Sequence, residues 1–183
     1  MELHVNNNHF ITSFSIENLP EYTCPACQKA NLNKDEFVSK STEGSNKNRH
    51  EEWWEAEYEE YVFRLTLKCP DCEEVVFACG DGYLEEITEI DDDHGWTRHW
   101  ETYHRPKHFY PPIKFITCPP ATPTEVQAHL EAAAALYYSY PSASCNSLRM
   151  AAEEILISLG VPAPPPGVFV SFAKRIKSLP DSS

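Results

Sequence analysis

Two C-x-x-C pairs constrain the fold of this chain more than any other feature. The first is CPAC at 24–27 and the second is CPDC at 69–72. A C-x-x-C turn presents two thiolates, and backbone N–H groups within it are free to bond to the sulfurs. Two such turns complete the tetrahedral ligand set of a closed zinc site, so we predict one structural Zn²⁺ ion. Its ligands are predicted to be Cys24, Cys27, Cys69 and Cys72.

Paired cysteines also serve other chemistries. Rubredoxin-like iron proteins carry a glycine after each second cysteine, where this chain has Gln28 and Glu73, so iron is the less favoured metal. A thioredoxin-type redox pair opens a helix after a strand, and the duplication of the pair argues against that use. The other cysteines match no motif, and we expect each to be a small buried apolar residue rather than a nucleophile. They are Cys79, Cys118 and Cys145.

Charge restricts the partners of the chain. The formal net charge is -13, and residues 51–110 hold 17 of the 28 acidic side chains but 5 of the 15 basic ones. A surface this acidic repels phosphate backbones, so a broad nucleic-acid interface is disfavoured. No stretch approaches the ~18 apolar residues needed to cross a bilayer, and no export signal is recognisable. We therefore expect a cytoplasmic protein without a membrane partner.

The residue pattern changes along the chain from strand-like to helical. Over 61–68 apolar and polar residues alternate with the period of a half-buried strand, and 75–78 and 83–90 continue the pattern around a predicted turn at 80–82. Prolines from 106 onwards indicate an extended linker. We predict an α+β fold with a β-rich zinc-ribbon module over 1–110, a proline-rich linker over 111–123 and a helical bundle over 124–183.

Three amphipathic helices are predicted in the bundle. The first is capped by Thr124, and the second runs from about Ser142 or Ser144 to Leu159 and stops at Gly160. The third spans 168–179. The apolar stripe of the second helix is predicted to be Leu148, Ala152, Ile155 and Leu159. Three short helices make a small core, so we expect this domain to be truncated, or to be covered by a partner chain or by a second copy in a homo-oligomer.

Three further segments carry weaker patterns. The polar segment 41–49 predicts an exposed loop, and the acidic run 51–60 predicts a strand or helix with its aromatic side chains packed inward. The stretch from His94 to His108 is interpreted as an exposed loop whose aromatic residues pack on the ribbon or between domains. The alternative is a second metal site formed by His94, His99, His104 and His108.

The order of these features resembles the DUF4145 family, a domain of unknown function. The resemblance covers 22–179 and is most specific over 137–161, YYSYPSASCNSLRMAAEEILISLGV. It implies a zinc ribbon followed by a helical domain, in bacterial proteins associated with anti-phage or restriction systems. Some helical domains of this kind resemble HEPN ribonucleases, which pair an arginine with a histidine a few residues later. No histidine follows Arg149, so the resemblance implies no ribonuclease activity here.

Three functional hypotheses follow. The leading one is a non-enzymatic zinc-binding interaction or scaffold module with a protein partner, because catalytic triads, HExxH motifs and phosphate-binding glycine loops are absent from the sequence. The first alternative is a nucleic-acid-associated or nuclease-related protein that contacts phosphates through Lys174, Arg175 and Lys177, although such a trio is more often a solvated face. The second alternative is an acidic mimic of nucleic acid formed by the glutamates of 51–60.

Overall fold

The computed structural model describes residues 12–91 and 95–179. These residues form two compact units, one over 12–113 and one over 114–179. The first unit is built on a curled antiparallel sheet and the second on helices. The α+β class is therefore confirmed. Within the described ranges, no helix has the length and apolar character needed to cross a bilayer.

A four-stranded sheet with the order β1–β2–β3–β4 forms the first unit, and every neighbouring pair is antiparallel. The strands are β1 (Asn33–Ser41), β2 (Glu60–Lys68), β3 (Val75–Asp91) and β4 (Gly95–Tyr110). A short helix, α1 (Glu43–Asn48), and a single 3₁₀ turn (Ala56–Tyr58) lie between β1 and β2. Since the order in space follows the order in sequence, the sheet is a simple meander.

One face of the sheet forms the core. Phe63, Leu65 and Leu67 alternate along β2 with outward-facing residues, as the period of two predicts. Leu65 pairs with Ala78 of β3 and Leu67 pairs with Val76, and both partners are buried. The segment before β1 lies over this face: the ring of Phe14 contacts that of Phe63, and the ring of Tyr22 lies 5.0 Å from that of Phe109.

The predicted turn at 80–82 is wrong, because β3 runs unbroken through Gly80 and Gly82. A Cβ at Gly80 would overlap the carbonyl oxygen of Arg105, and one at Gly82 would lie 3.0 Å from the carbonyl oxygen of Tyr103. These glycines therefore allow the backbone of β4 to approach closely. Close approach of another backbone is a common reason for glycine inside a strand.

The predicted loop between His94 and His108 is also wrong where the structure describes it, because residues 95–108 lie in β4. Pro106, assigned to the proline-rich boundary, pairs with Gly80 at a shift of register between β3 and β4. A proline is tolerated there because β4 is an edge strand. Trp96 and Trp100 are exposed rather than packed, whereas Phe109 is buried.

Segment 41–49 contains α1 instead of the predicted exposed loop. The side chain of Thr42 accepts a hydrogen bond from the backbone N–H of Ser45 at 3.2 Å, which caps the helix. Ser45 is buried, and its Oγ accepts a hydrogen bond from the N–H of Glu60 at 2.8 Å. This pair of bonds fixes the segment against the start of β2.

The acidic run 51–60 does not pack its aromatic residues inward. Trp53, Trp54 and Tyr58 form a cluster with ring centroids 5.8–6.4 Å apart, yet Trp53 and Tyr58 are exposed. The buried member of the run is Glu59, which forms an ion pair with Arg49. The pairing explains how a carboxylate is tolerated inside.

The second unit contains α2 (Thr124–Leu136), α3 (Pro141–Ser158) and the short α4 (Phe172–Ile176). The prediction that Thr124 caps α2 is wrong, because Thr124 is already the first helical residue, Pro123 is the N-cap and no side chain caps the helix. Gly160 after α3 has the predicted left-handed conformation, with a φ of 89°. The third helix is much shorter than predicted. Ser171 caps it by accepting a hydrogen bond from the N–H of Lys174, which fixes its start.

The predicted apolar stripe of α3 faces the wrong way, because Leu148, Ile155 and Leu159 are exposed. The residues of α3 that are buried are Ser144, Ala151 and Leu156. Ala133 and Ala134 of α2 are buried as well, and the Ser144 hydroxyl donates to the Ala133 carbonyl oxygen at 2.8 Å. Small residues thus form this contact, so the size of a side chain did not indicate the buried face.

The three other cysteines do not share one environment. Cys79 on β3 and Cys145 on α3 are exposed, and Cys118 is half-buried. The expectation that each is a buried apolar residue is therefore wrong for Cys79 and Cys145. Cys79 pairs with Arg64 of β2, which is also exposed, so both lie on the outer face of the sheet.

Candidate metal centre

Two turns of the first unit bring the C-x-x-C cysteines together. Cys24 and Cys27 lie in the turn before β1, and Cys69 and Cys72 lie in the turn that joins β2 to β3. All four Sγ atoms lie within 4.8 Å of one another. This is the only group of three or more histidine, cysteine or acidic side chains within the described residues that is placed to hold a metal ion.

The sulfur separations fit one tetrahedral ion. Sγ of Cys24 lies 3.6 Å from Sγ of Cys72, and Sγ of Cys27 lies 3.7 Å from Sγ of Cys69. Two sulfurs bound to one zinc ion at ~2.3 Å lie about 3.8 Å apart in a tetrahedron. A disulfide would bring them to about 2.05 Å. The arrangement therefore fits a metal site, and the sulfurs are too far apart for two disulfides.

Both turns share the same backbone geometry. The N–H of Gln28 bonds to the carbonyl oxygen of Cys24 at 3.0 Å, and the N–H of Glu73 bonds to that of Cys69 at 3.2 Å. Gln28 and Glu73 follow the second cysteine of each turn, and both are left-handed, with φ of 55° and 62°. A non-glycine residue rarely adopts this conformation, so the two turns are matched at the position where strain is concentrated.

Backbone N–H groups stabilise the thiolate form of some of these cysteines, which is the form that binds a metal cation. Those of Lys29 and Ala30 lower the pKa of the Cys27 thiol to about 6. Burial raises the pKa of Cys24, although N–H groups of its own turn oppose the shift. The N–H of Glu74 lowers the pKa of Cys72, but desolvation and the neighbouring cysteines raise it to about 12. Four thiolates this close need a cation to replace their protons, so the donor set fits a divalent metal.

The centre ties distant parts of the first unit together. Cys24 and Cys69 are buried, Cys27 is half-buried and Cys72 is exposed. Through them the segment before β1 is joined to the start of β3. Because four cysteines complete a tetrahedron, no coordination position is left for water or substrate.

A family model now places this unit among known sequences. The model of a domain of unknown function, DUF8608, matches residues 12–109. The chain belongs to this family. The DUF8608 match covers the four cysteines and the sheet and ends before the helical unit. No curated protein and no solved structure matches the chain.

Membership in DUF8608 overturns the resemblance to DUF4145. That resemblance was most specific over 137–161, outside the matched residues, and its remaining support was a pair of C-x-x-C turns. Such turns recur wherever four thiolates bind one metal, so they do not distinguish one family from another. The association with anti-phage and restriction systems rested on the same resemblance and is withdrawn with it.

The alternative metal site of four histidines does not form among the described residues. His94 lies outside them, and His99, His104 and His108 join no group placed to hold a metal. His104 is buried instead, with the rings of Phe14, Phe37 and Phe63 at 4.9–6.0 Å from its own. Burial lowers its pKa, so it packs as a neutral ring.

Sequence reasoning missed the two left-handed positions as parts of the centre. In the sequence Gln28 and Glu73 only argue against iron, whereas in the structure their positive φ angles shape the two turns. A signal was present: they occupy the same place in CPACQ and CPDCE, directly after the second cysteine. An equivalent position in two equivalent turns has an equivalent backbone.

Proposed function

We propose that this DUF8608 protein is a zinc-stabilised, non-enzymatic interaction module whose projecting hairpin binds an extended basic segment of a partner protein. Zinc is favoured because four cysteine sulfurs at tetrahedral spacing are its usual structural ligand set. The metal stabilises the sheet, and the far end of the same sheet provides the binding surface. The observation that carries the binding proposal is a stretch of hairpin that no third strand pairs with among the described residues.

That stretch is the hairpin arm, defined as 84–91 of β3 and 95–102 of β4. The ladder between β2 and β3 ends at the pair of Glu60 and Tyr83, whereas β3 and β4 continue to pair as far as Asp91 and Gly95. Among the described residues, the arm is thus a two-stranded ribbon. Among the described residues no strand pairs with the outer edge of β3 beyond Tyr83, although the 3₁₀ turn Ala56–Tyr58 contacts β3. The unpaired part of this edge has backbone donors and acceptors that an added strand can use.

One face of the arm carries its two tryptophans and Ile90, together with the ion pair of Glu86 and Arg98. Ile90 pairs with Trp96 and Glu86 pairs with Trp100, and this face continues the one that buries His104 nearer the sheet. Ile90 is 66% exposed and Trp96 is 73% exposed. Exposed tryptophan on a rigid strand is typical of the anchors of protein interfaces. The core face of the sheet therefore extends into the arm, where Ile90, Trp96 and Trp100 are exposed.

The opposite face of the arm is acidic. Glu85 pairs with Glu101 there, and Glu89 pairs with Thr97. Besides Asp91, the arm carries four glutamates and one arginine, Arg98. Nη1 of Arg98 lies 3.6 Å from Oε1 of Glu86. A strand added at the edge would present its side chains alternately to the face of the tryptophans and to the acidic face.

This arrangement favours one occupant. A segment with alternating apolar and basic residues would place apolar side chains beside Ile90 and Trp96, and basic ones beside Glu85 and Glu89. A second copy of the chain would instead bring two acidic arms together, which like charges oppose. The partner is therefore a different protein with a basic, strand-forming segment.

Calorimetry with two synthetic peptides tests the proposal. Both are as long as the arm; one alternates lysine with valine, and the other has glutamate in place of lysine. We expect the lysine peptide to bind and to weaken as salt rises, and the glutamate peptide not to bind. Changing Trp96→Ser and Trp100→Ser together is expected to weaken binding at least roughly tenfold.

The matched control is Trp53→Ser, which removes an exposed tryptophan from another part of the same unit. It should leave the affinity unchanged. Equal binding of both peptides, or unchanged binding by the double variant, would exclude the arm as the site.

A further inference from the structure

A cavity in the first unit has no role in the function proposed above. Its volume is about 410 Å³, and it lies beside the start of β2, where the 3₁₀ turn, β2 and β3 all contribute to its lining. None of the lining residues belongs to the hairpin arm. The volume falls within the range of small-molecule sites, which is roughly 300–1,000 Å³.

The strand register shows which side chains of the sheet belong to this cavity. Glu60 pairs with Tyr83, and Val62 pairs with Asp81. Along β2, Glu60 and Val62 alternate with the buried Phe63, so they point away from the core. Paired residues direct their side chains to the same face of a sheet. All four lining side chains therefore lie on the outer face, where a ligand can reach them.

Arg105 shows which chemical group this face accepts. Its Cζ lies 5.0 Å from the centroid of the Tyr83 ring, and its Nε donates a hydrogen bond to Oδ1 of Asp81 at 2.7 Å. Nζ of Lys107 lies 3.4 Å from Oδ2 of the same carboxylate. Aromatic faces attract cations, and they recognise organic ammonium groups in many binding sites. One part of the cavity wall thus already holds a cation of the chain itself.

The rest of the wall offers the same groups without a cation. Glu57 and Tyr58 of the 3₁₀ turn line the cavity together with Glu60, and all three are exposed. Glu59 also lines it but is paired with Arg49. Neither Glu57 nor Glu60 forms an ion pair within the described residues. Two carboxylates and a tyrosine ring are therefore available to a cation from outside.

The spacing of the carboxylates favours an organic cation over a metal ion. Metal sites of this kind need several oxygens that converge on one point. In the part of the chain that the structure describes, only the four cysteines form a group placed to hold a metal. An organic cation is larger, and its apolar body can cover the side chain of Val62, which is 53% exposed.

We propose that this cavity binds a small organic cation, with an ammonium or guanidinium head beside Glu57 and Glu60 and a short apolar body against Tyr58 and Val62. Two sources supply this chemistry: a free amine, and a lysine or arginine side chain of a protein. Because the cavity lies outside the hairpin arm, this proposal and the one for the arm stand or fall separately.

Titration of the full chain, followed by NMR, measures the binding of three probes. Butylammonium and propylguanidinium reproduce the ends of the lysine and arginine side chains, and butanol has a similar apolar body without charge. We expect at least one cation to bind below about 10 mM, at least roughly tenfold more tightly than butanol, and to bind more weakly as salt rises. The largest shifts are expected in the amide signals of residues 57–62. Equal affinity for all three probes, or no binding of either cation, would overturn the proposal.

Lysine and arginine with both termini capped separate the two sources. They carry the same cationic heads on a short piece of peptide backbone. Weaker binding than that of the matching alkyl probe identifies a free small molecule as the ligand. Equal or tighter binding identifies a protein side chain.

Variants then test the wall residues. Changing Glu57→Gln and Glu60→Gln together is expected to weaken cation binding at least roughly tenfold, and both side chains are exposed, so the fold is kept. Tyr58→Leu keeps an apolar contact but removes the aromatic face, and a loss of roughly two- to fivefold is expected.

The matched control changes Glu51→Gln and Glu52→Gln together. It alters the net charge by the same amount in the same acidic run, but both residues are exposed and lie outside the lining of the cavity. It should bind the cation as the unchanged protein does. An equal loss in the two double variants would assign the binding to overall charge, and the proposal would be wrong.

Discussion

The Sγ atoms of Cys24 and Cys72 lie 3.6 Å apart, although Cys72 comes 48 positions after Cys24 in the chain. The sulfurs of Cys27 and Cys69 are crossed in the same way, so each turn supplies one member of each close pair. The first turn precedes the sheet and the second joins β2 to β3. Closing these loops restricts the unfolded chain, so a metal bound there is expected to stabilise the first unit.

Loss of one ligand should abolish that stabilisation. We expect Cys69→Ser to remove bound zinc and to lower the melting temperature strongly, because structural zinc sites contribute ~10–16 kcal/mol of binding free energy to folding. Elemental analysis and circular dichroism measure the two effects. Cys145→Ser is the control, since Cys145 is exposed and lies outside the centre. Equal metal content in both variants would contradict the ligand assignment.

The left-handed residues after each second cysteine predict an unusual glycine effect. Gln28→Gly should raise the free energy of unfolding by about 0.5–1 kcal/mol, because glycine adopts a positive φ without the clash that glutamine suffers. Denaturant unfolding of the metal-loaded protein measures the change. Lys29→Gly, one residue further along, should lower stability instead. A loss of similar size in both variants would show that strain at Gln28 is not relieved.

The close approach of β4 to Gly80 predicts that this position accepts no side chain. Gly80→Ala should lower the free energy of unfolding by at least about 2 kcal/mol, because the new Cβ would overlap the Arg105 carbonyl oxygen. The contrasting control is Gly44→Ala in α1, where the nearest atom lies 3.7 Å away. That change should be neutral or stabilising by a few tenths of a kcal/mol. A small loss in the free energy of unfolding for Gly80→Ala would contradict the close approach of β4 at this position.

The buried imidazole of His104 predicts a dependence of stability on pH. Burial lowers its pKa below the ordinary value of 6.5, so near neutrality both folded and unfolded chains hold it uncharged. As the pH falls through 6.5 and then through the lower folded value, the unfolded chain takes up the proton first, and stability is lost. We expect His104→Leu to flatten the fall in melting temperature between about pH 7.5 and about pH 5.5.

Metal ligands also protonate in acid, but they do so in both proteins, so the difference between the two profiles isolates His104. His99→Leu, an exposed histidine of the arm, should keep the profile of the unchanged chain. If the His104 and His99 variants respond alike, burial of His104 does not control the profile.

Local patterns predicted the parts of this fold that local chemistry determines. The C-x-x-C turns located the metal centre, and alternation along β2 identified its buried face. The wrong predictions concern features that depend on the position of a neighbouring strand or helix. Gly80 and Gly82 suit a turn as well as a close approach, and only the position of β4 decides between them. In α3, Ser144 and Ala151 are buried and Ser144 bonds to Ala133 of α2, whereas the larger Leu148 is exposed.

Sequence patterns could not predict the exposed arm or the burial of Arg175 for a related reason. Aromatic residues such as Trp96 usually indicate a core, and their exposure follows from the early end of β2. A basic trio usually indicates a solvated face, and the burial of Arg175 follows from Glu153 on α3. Both features depend on where a distant element stops or lies.

The metal content of the purified protein, together with its melting temperature before and after chelation, tests the central claim most directly. The account predicts one zinc ion per chain, no visible absorption, and loss of the folded first unit when the zinc is removed. Iron with a visible absorption band, or a metal-free protein that melts at the same temperature with and without chelator, would contradict it.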